Sequence, residues 1–375
     1  MSRCSQYILA TVAAILFMTG LSWSASERVE TLRIGEKAPD FNLPGVDGRN
    51  YRLSDFADAD ILVVIFTCNH CPTAQAYEER IKKLAADYRK KGVALVAISP
   101  NDPKALRLDE LGYSDMSDSF EEMKIRARDM NFNFPYLYDG DEQRVSRTYG
   151  PARTPHVFIF DRQRKLRYAG RIDGSEKPKL VKSHDARNAI DALLKATKVP
   201  VEITNTIGCS IKWSSKRDSV KQAFENWAKE SVAVEMIDAQ SIKELVKNDS
   251  GKLRLVNIWA SWSCPSAEQL VDLVSINRMY RRRDFELITI SADSPSRKGN
   301  VLSLLKKQQA SCRNYLFDSE DEYQLMAAVD KNLLGGIPYT ILIRPGGEVA
   351  YRSLGIVDPL ELKKAIVGYL GRYYK

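Results

Sequence analysis

Cys68 and Cys71, in TCNHCPTA (67–74), are the residues with the clearest capacity for chemistry. A Cys-x-x-Cys pair can exchange disulfides, supply half of a metal site or staple the chain. A structural metal site would need two more ligands at suitable spacing. The only other histidines are His156 and His184, and there is no second Cys-x-x-Cys. A static disulfide closing so short a loop would restrain little chain entropy. Redox exchange is therefore the favoured reading, and it requires no metal and no organic cofactor. His70 lies between the two thiols. Protonated, it would stabilise a thiolate at Cys68 and make the disulfide more oxidising.

The flanking pattern indicates how the pair is positioned. DILVVIFT (60–67) is a run of branched apolar residues that reads as a fully buried strand. Residues 72–91 read as a helix, with Tyr77, Ile81, Leu84 and Tyr88 on one apolar stripe and Gly92 as its stop. VALVAIS (93–99) is a second buried strand, so the unit is a parallel strand–helix–strand. The dithiol falls at the strand-to-helix junction. Cys68 is expected at the helix N-terminus, where unpaired N–H groups and the positive dipole end lower a thiol pKa, with Cys71 one turn in to resolve. An acidic stretch (102–122) follows, then the strand FPYLYD, a helix, the loop PARTPH (151–156), a hairpin (156–173) and a helix (185–196).

The same order returns in 252–370, ending with the loop GGIPYT (335–340), a hairpin and a helix. A domain-sized unit that recurs reads as an internal duplication. The fold class is α/β, with two tandem domains, each a central mixed sheet flanked by helices. The expected bounds are 31–200 for the first domain, 201–230 for a connector and 231–375 for the second domain.

Residues 1–25 read as a signal peptide: Arg3, an apolar run over 7–21, then small residues in SWSAS. The run is short for a span, so the leader is either cleaved or a weak membrane anchor. The protein is then exported, periplasmic or secreted, where disulfides persist. Without Cys4 there remain Cys68, Cys71, Cys209, Cys264 and Cys312, an odd number that cannot all pair internally. The net charge of +8 is small against 56 basic and 48 acidic side chains. The densest basic run, YRRRD (280–284), reads as a solvated helix end and lacks the interleaved aromatics of a base-stacking surface, so no nucleic-acid partner is expected.

VVIFTCNHCPTA, DEQRVSRTYG, RTPHVFIFD and RYAGRIDG together resemble the exported redoxin family, related to AhpC/TSA and TlpA/ResA-type thioredoxin-like proteins. GCSIKW (208–213) resembles the end of single-domain members, so the likeness runs over 31–213. It implies a thioredoxin-like fold and a redox-active Cys68–Cys71 pair. It also implies a cis-proline at Pro155 beside the dithiol, preceded by Thr154, whose backbone binds the substrate. The chain departs from thioredoxin itself in having Thr67 before the dithiol and Leu62 where a buried aspartate would stand. A peroxiredoxin would need Thr or Ser three residues before its cysteine; Ile65 and Cys68 stand there instead.

NIWASWSCPSAE (257–268) is similar to the TlpA/ResA-type site, and that likeness puts Ser263 and Ser266 at the cysteine positions and Pro338 at the matching proline. The second copy thus keeps the frame without dithiol chemistry. Cys209 and Cys264 are candidates for accessory thiols. The expected function is an exported thiol–disulfide oxidoreductase acting on protein thiols or disulfides through Cys68 and Cys71, with His70 tuning them, and with a redox partner protein. The rival readings are a non-enzymatic thioredoxin-fold binding protein with a static Cys68–Cys71 disulfide and, more weakly, a peroxiredoxin-like peroxidase.

Overall fold

The computed structural model describes residues 29–331 and 335–374. The leader 1–25 and Cys4 lie outside the described residues. No helix among those described is long and apolar enough to cross a membrane.

The apolar run of the first unit becomes the central strand Ile61–Phe66, buried at every position. It pairs in parallel with Val93–Ser99 and antiparallel with His156–Phe160. Tyr136–Tyr138 and Leu166–Gly170 complete a five-stranded mixed sheet at its two edges. Side chains alternate across a strand. Ile61, Val63 and Ile65 therefore pack with Tyr77, Ile81, Leu84 and Tyr88 of the helix Pro72–Tyr88. Leu62, Val64 and Phe66 face Phe41, Tyr149 and Phe158 on the other side. Gly92 reverses the chain in the left-handed region, φ 74°, where an added Cβ would meet the Asp60 carboxylate at 2.7 Å.

The second unit has a six-stranded sheet in the same order with one added edge strand, Glu235–Ile237. Its central strand, Leu253–Trp259, pairs in parallel with Phe285–Ser291 and antiparallel with Tyr339–Ile343. Strand pairing sets the register between the units. Ile61 faces Val93 as Leu253 faces Phe285, and Phe66 faces His156 as Ile258 faces Tyr339. The central strands and following helices are thus offset by 192 positions. On that register Ser263 stands where Cys71 does and Ala260 where Cys68 does. The expected equivalence of Ser263 with Cys68 and Ser266 with Cys71 is therefore shifted. Local motif likeness could not see the ladder that decides it.

The segment 201–230 is not a free connector. The edge strand Leu166–Gly170 needs partners for its outer backbone groups. Ala169 N–H donates to Glu202 O at 2.9 Å and Thr204 N–H to Ala169 O at 3.1 Å. Further on, the helix Arg217–Ala228 lies against both units: Arg217 pairs with Asp102 at 2.5 Å, and Arg278 sits over the Trp227 ring at 5.0 Å.

The acidic stretch joins the two units. Leu106 and Leu111 pack into the second unit's cluster with Leu273, Ile276 and Tyr280 of the helix Cys264–Tyr280. The basic run, expected as a solvated helix end, is spent on this contact. Arg282 pairs with Asp109 at 2.5 Å, and Arg283 donates to Gly112 O at 2.9 Å and lies over the Tyr113 ring. At the C-terminus Arg372 makes a two-pronged ion pair with buried Asp115, both bonds 2.6 Å. Removing one partner of such a pair leaves the other charge buried and unpaired. Arg372→Ala should therefore lower the unfolding free energy in urea by about 3 kcal/mol, while truncating exposed Arg128 leaves the midpoint unchanged.

Candidate active site

The strand Ile61–Phe66 ends just before Thr67, and the helix begins at Pro72 with Cys71 as its N-cap. The helix starts at Pro72 as its residue pattern indicates, so Cys71, and not Cys68 as expected, receives its N-terminal donors. Ala74 N–H donates to Cys71 Sγ at 3.4 Å. Both sulfurs are covered, Cys68 with 3% of its surface exposed and Cys71 with none.

The loop Cys68–Cys71 is held from outside by Asp118. Its Oδ1 accepts from the backbone N–H groups of Asn69 (2.8 Å) and His70 (3.0 Å). Its Oδ2 lies 2.5 Å from His70 Nδ1 and accepts from Asn101 Nδ2 at 2.7 Å. Burial disfavours a charged imidazole, but the Asp118 carboxylate and its hydrogen bond outweigh this and raise the His70 pKa above its ordinary value. Burial likewise acts against the Asp118 carboxylate, and His70 with the surrounding donors holds its pKa below the ordinary one. His70 Nε2 is buried and meets no partner among the described residues.

Cys68, His70 and Asp118 offer ligand atoms within 4.8 Å of one another. Both carboxylate oxygens are already engaged, however, and Nδ1 is committed to Asp118. This donor set suits a hydrogen-bonded ion pair better than a metal ligand cluster.

Thr154 lies across from the thiols. Its Oγ1 is 3.1 Å from Cys68 Sγ, and its carbonyl oxygen, 3.4 Å from Cys71 Sγ, accepts from Cys71 only when that sulfur carries its proton. The Thr154–Pro155 bond is cis, and so is Ile337–Pro338. His156, next along, is driven down to about 3 by burial and stays neutral, accepting from Ala152 N–H through Nδ1.

The two thiols part electrostatically. Burial, the neighbouring Cys71 and the Asp118 charge raise the Cys68 pKa well above the ordinary value. Burial also acts against a Cys71 thiolate. It is outweighed by hydrogen bonds from Cys209 and Cys68, the His70 charge and the Ala74 N–H, so the Cys71 pKa falls well below the ordinary value. The surroundings of the pair thus favour a thiolate on Cys71 over one on Cys68.

Residues 34–169 match the family model described as the AhpC/TSA family. That match places the first unit in the AhpC/TSA family. Over 190 residues, 49% of this redoxin and 97% of the relative, it is 24% identical to the thiol-disulfide oxidoreductase ResA of Geobacillus thermodenitrificans. A hypothetical protein of Sinorhizobium meliloti of solved structure is 35% identical; the match covers 50% of this chain and 97% of that one, with a TM-score of 0.44. An uncharacterised conserved protein from Geobacillus kaustophilus is 39% identical over 49% of this chain and 94% of its own, also at 0.44.

The structure gathers Cys68, His70, Cys71, Thr154 and Pro155 of this redoxin in one place, with Cys209 packed against them. Cys264 is exposed at the start of the second unit's helix. Ser266 is buried in that helix's first turn with its hydroxyl unpartnered among the described residues. Cys312 donates to Asn314, and burial pushes it up to about 12. Sequence reasoning missed Asp118 and Asn101. The only signal was the acidity of the stretch that holds Asp118, which lies 47 positions beyond Cys71. The second unit keeps a related brace: Asp293, at the register position of Asn101, accepts from Ser261 N–H at 2.8 Å.

The raised His70 pKa contributes stability in full below about pH 6.5, lost as the pH climbs through the folded value. The depressed Asp118 pKa contributes in full above about pH 3.9, lost as the pH falls through its folded value. The unfolding free-energy difference between wild type and Asp118→Asn should peak between those limits at about 3 kcal/mol and narrow in alkaline buffer. A difference that stays flat from pH 5 to pH 9 would show that His70 carries no proton in the fold.

Proposed function

We propose that this redoxin is an exported thiol–disulfide oxidoreductase that exchanges disulfides with protein substrates through Cys68 and Cys71. The observation that carries the reading is the placement of both sulfurs at the strand-to-helix turn, within 3.4 Å of Thr154 and beside the cis Thr154–Pro155 bond. Cys68 attacks the substrate disulfide after its proton passes to Cys71. One substrate sulfur leaves as thiolate, and a Cys68–substrate disulfide forms. Cys71, stabilised as thiolate by the Ala74 N–H and the His70 charge, then attacks Cys68 Sγ and releases the second substrate sulfur. Two electrons pass from the dithiol to the substrate; run backwards, the same steps oxidise substrate thiols.

Thr154 offers the reacting sulfurs a hydroxyl and a carbonyl. His70 acts as a fixed positive charge that tunes the pair, because Asp118 keeps it protonated. Export rests on the leader 1–25, and the protein's disulfide-bearing partners follow from that compartment. The second unit, a degenerate tandem copy in this reading, packs against the insertion beside the dithiol loop instead of adding a second dithiol.

Reduction of insulin disulfides with dithiothreitol as electron source tests the reading. Wild type should accelerate it, and Cys68→Ser and Cys71→Ser should each fall to the uncatalysed rate. Cys312→Ser should match wild type. Equal rates for wild type and Cys68→Ser would leave the binding-protein reading in its place.

A further inference from the structure

Cys209 reaches the dithiol by a route the chain has built for it. Residues Arg153–Thr154 and Cys209–Ser210 form a two-stranded antiparallel ladder with Cys209 opposite Thr154. That is the backbone edge which the redoxin resemblance assigns to the substrate through Thr154. Here the protein's own chain is laid along it. Gly208 makes the approach feasible: its φ is 141°, and an added Cβ would lie 1.9 Å from the Thr154 carbonyl oxygen. Only a glycine lets the strap come this close.

The strap is anchored on its far side. Lys212 N–H donates to Asn101 Oδ1 at 2.8 Å, and Asp102 N–H and Gln143 Nε2 both donate to Lys212 O at 2.9 Å. Asn101 is the same side chain that braces Asp118. The Cys209 side chain packs on the cluster of Cys68, Cys71 and Ala74. From the second unit's C-terminus, the Tyr374 ring meets that of Tyr113 at a tilt of 60°, ring centroids 4.9 Å apart.

We propose that Cys209 is a third redox thiol, an internal exchange partner that forms a disulfide with Cys71 from a strand occupying the substrate's own place. The inference rests on the exchange chemistry proposed above and extends it. In the oxidised protein the Cys209 thiolate attacks Cys71 Sγ of the Cys68–Cys71 disulfide. The Cys71–Cys209 bond forms, the Cys68–Cys71 bond breaks, and Cys68 leaves as thiolate to take up the proton Cys209 gave. No electrons are gained or lost. The oxidised enzyme is thereby divided between a Cys68–Cys71 form, which donates a disulfide, and a Cys71–Cys209 form. In the second form Cys68 is a lone free thiol, suited to shuffling a substrate's disulfides.

The test uses the full chain carrying Cys68→Ser, fully reduced, desalted and treated with diamide, which takes two electrons from a pair of neighbouring thiols. After iodoacetamide trapping and proteolysis, mass spectrometry should find a peptide pair joined through Cys71 and Cys209 in most molecules. Addition of Cys209→Ser should abolish it. In wild type held in a glutathione redox buffer, the 71–209 link should appear beside the 68–71 link. If Cys71 and Cys209 both emerge alkylated in Cys68→Ser, with circular dichroism showing a wild-type fold, the proposal is overturned. It is overturned equally if Cys71 is recovered bonded to a cysteine other than Cys209. These readouts need no substrate turnover, so a protein inert toward insulin that still forms the 71–209 link would retain this inference and lose the function proposed above.

Discussion

A carboxylate taken out of water must be met by enough donors to replace its hydration. Asp118 is fully buried, and its donors come from two separate stretches: the dithiol loop at Asn69 and His70, and the end of the strand Val93–Ser99 at Asn101. The geometry of the loop is in large part the geometry that satisfies this charge. The same charge bears on the thiols: it raises the His70 pKa, which favours a thiolate on Cys71, and it faces Cys68, which disfavours one there. The carboxylate thus positions the loop and biases its chemistry together.

Asp118 can sit there because the acidic stretch is held between two units. One side of that stretch feeds the dithiol loop, while Leu106 and Leu111 anchor in the second unit's core. Arg282 and Arg283 meet it from the second unit's helix end, and Arg372 returns from the C-terminus to Asp115. A charge-rich segment that would be solvated in an isolated domain becomes the mortar between two. The cover over the thiols is likewise assembled from distant chain, since Tyr374 closes over Cys209 from the far terminus.

The legible part of the fold was the part governed by local periodicity. The branched apolar run at 61–66, the stripe Tyr77, Ile81, Leu84 and Tyr88, and the stop at Gly92 all stand where their residue types place them. So do the pair Cys68–Cys71 at the strand-to-helix turn and the cis bond before Pro155. Which thiol caps the helix was less legible: with the first turn at Pro72, Cys71 and not Cys68 takes the helix donors. The equivalence of Ser263 failed for a related reason: motif likeness counts along the chain, whereas the ladder counts across it.

The amino-acid order alone determined a strand–helix–strand frame, a dithiol at its junction and a second frame without one, because these follow from side-chain period and residue type. Only the tertiary structure decided which sulfur caps the helix, that a carboxylate 47 positions beyond Cys71 braces His70, and that Cys209 lies on the Thr154 edge. Each of these depends on electrostatic and backbone contacts between segments far apart in the chain, and such contacts leave no periodic trace in the segments that make them.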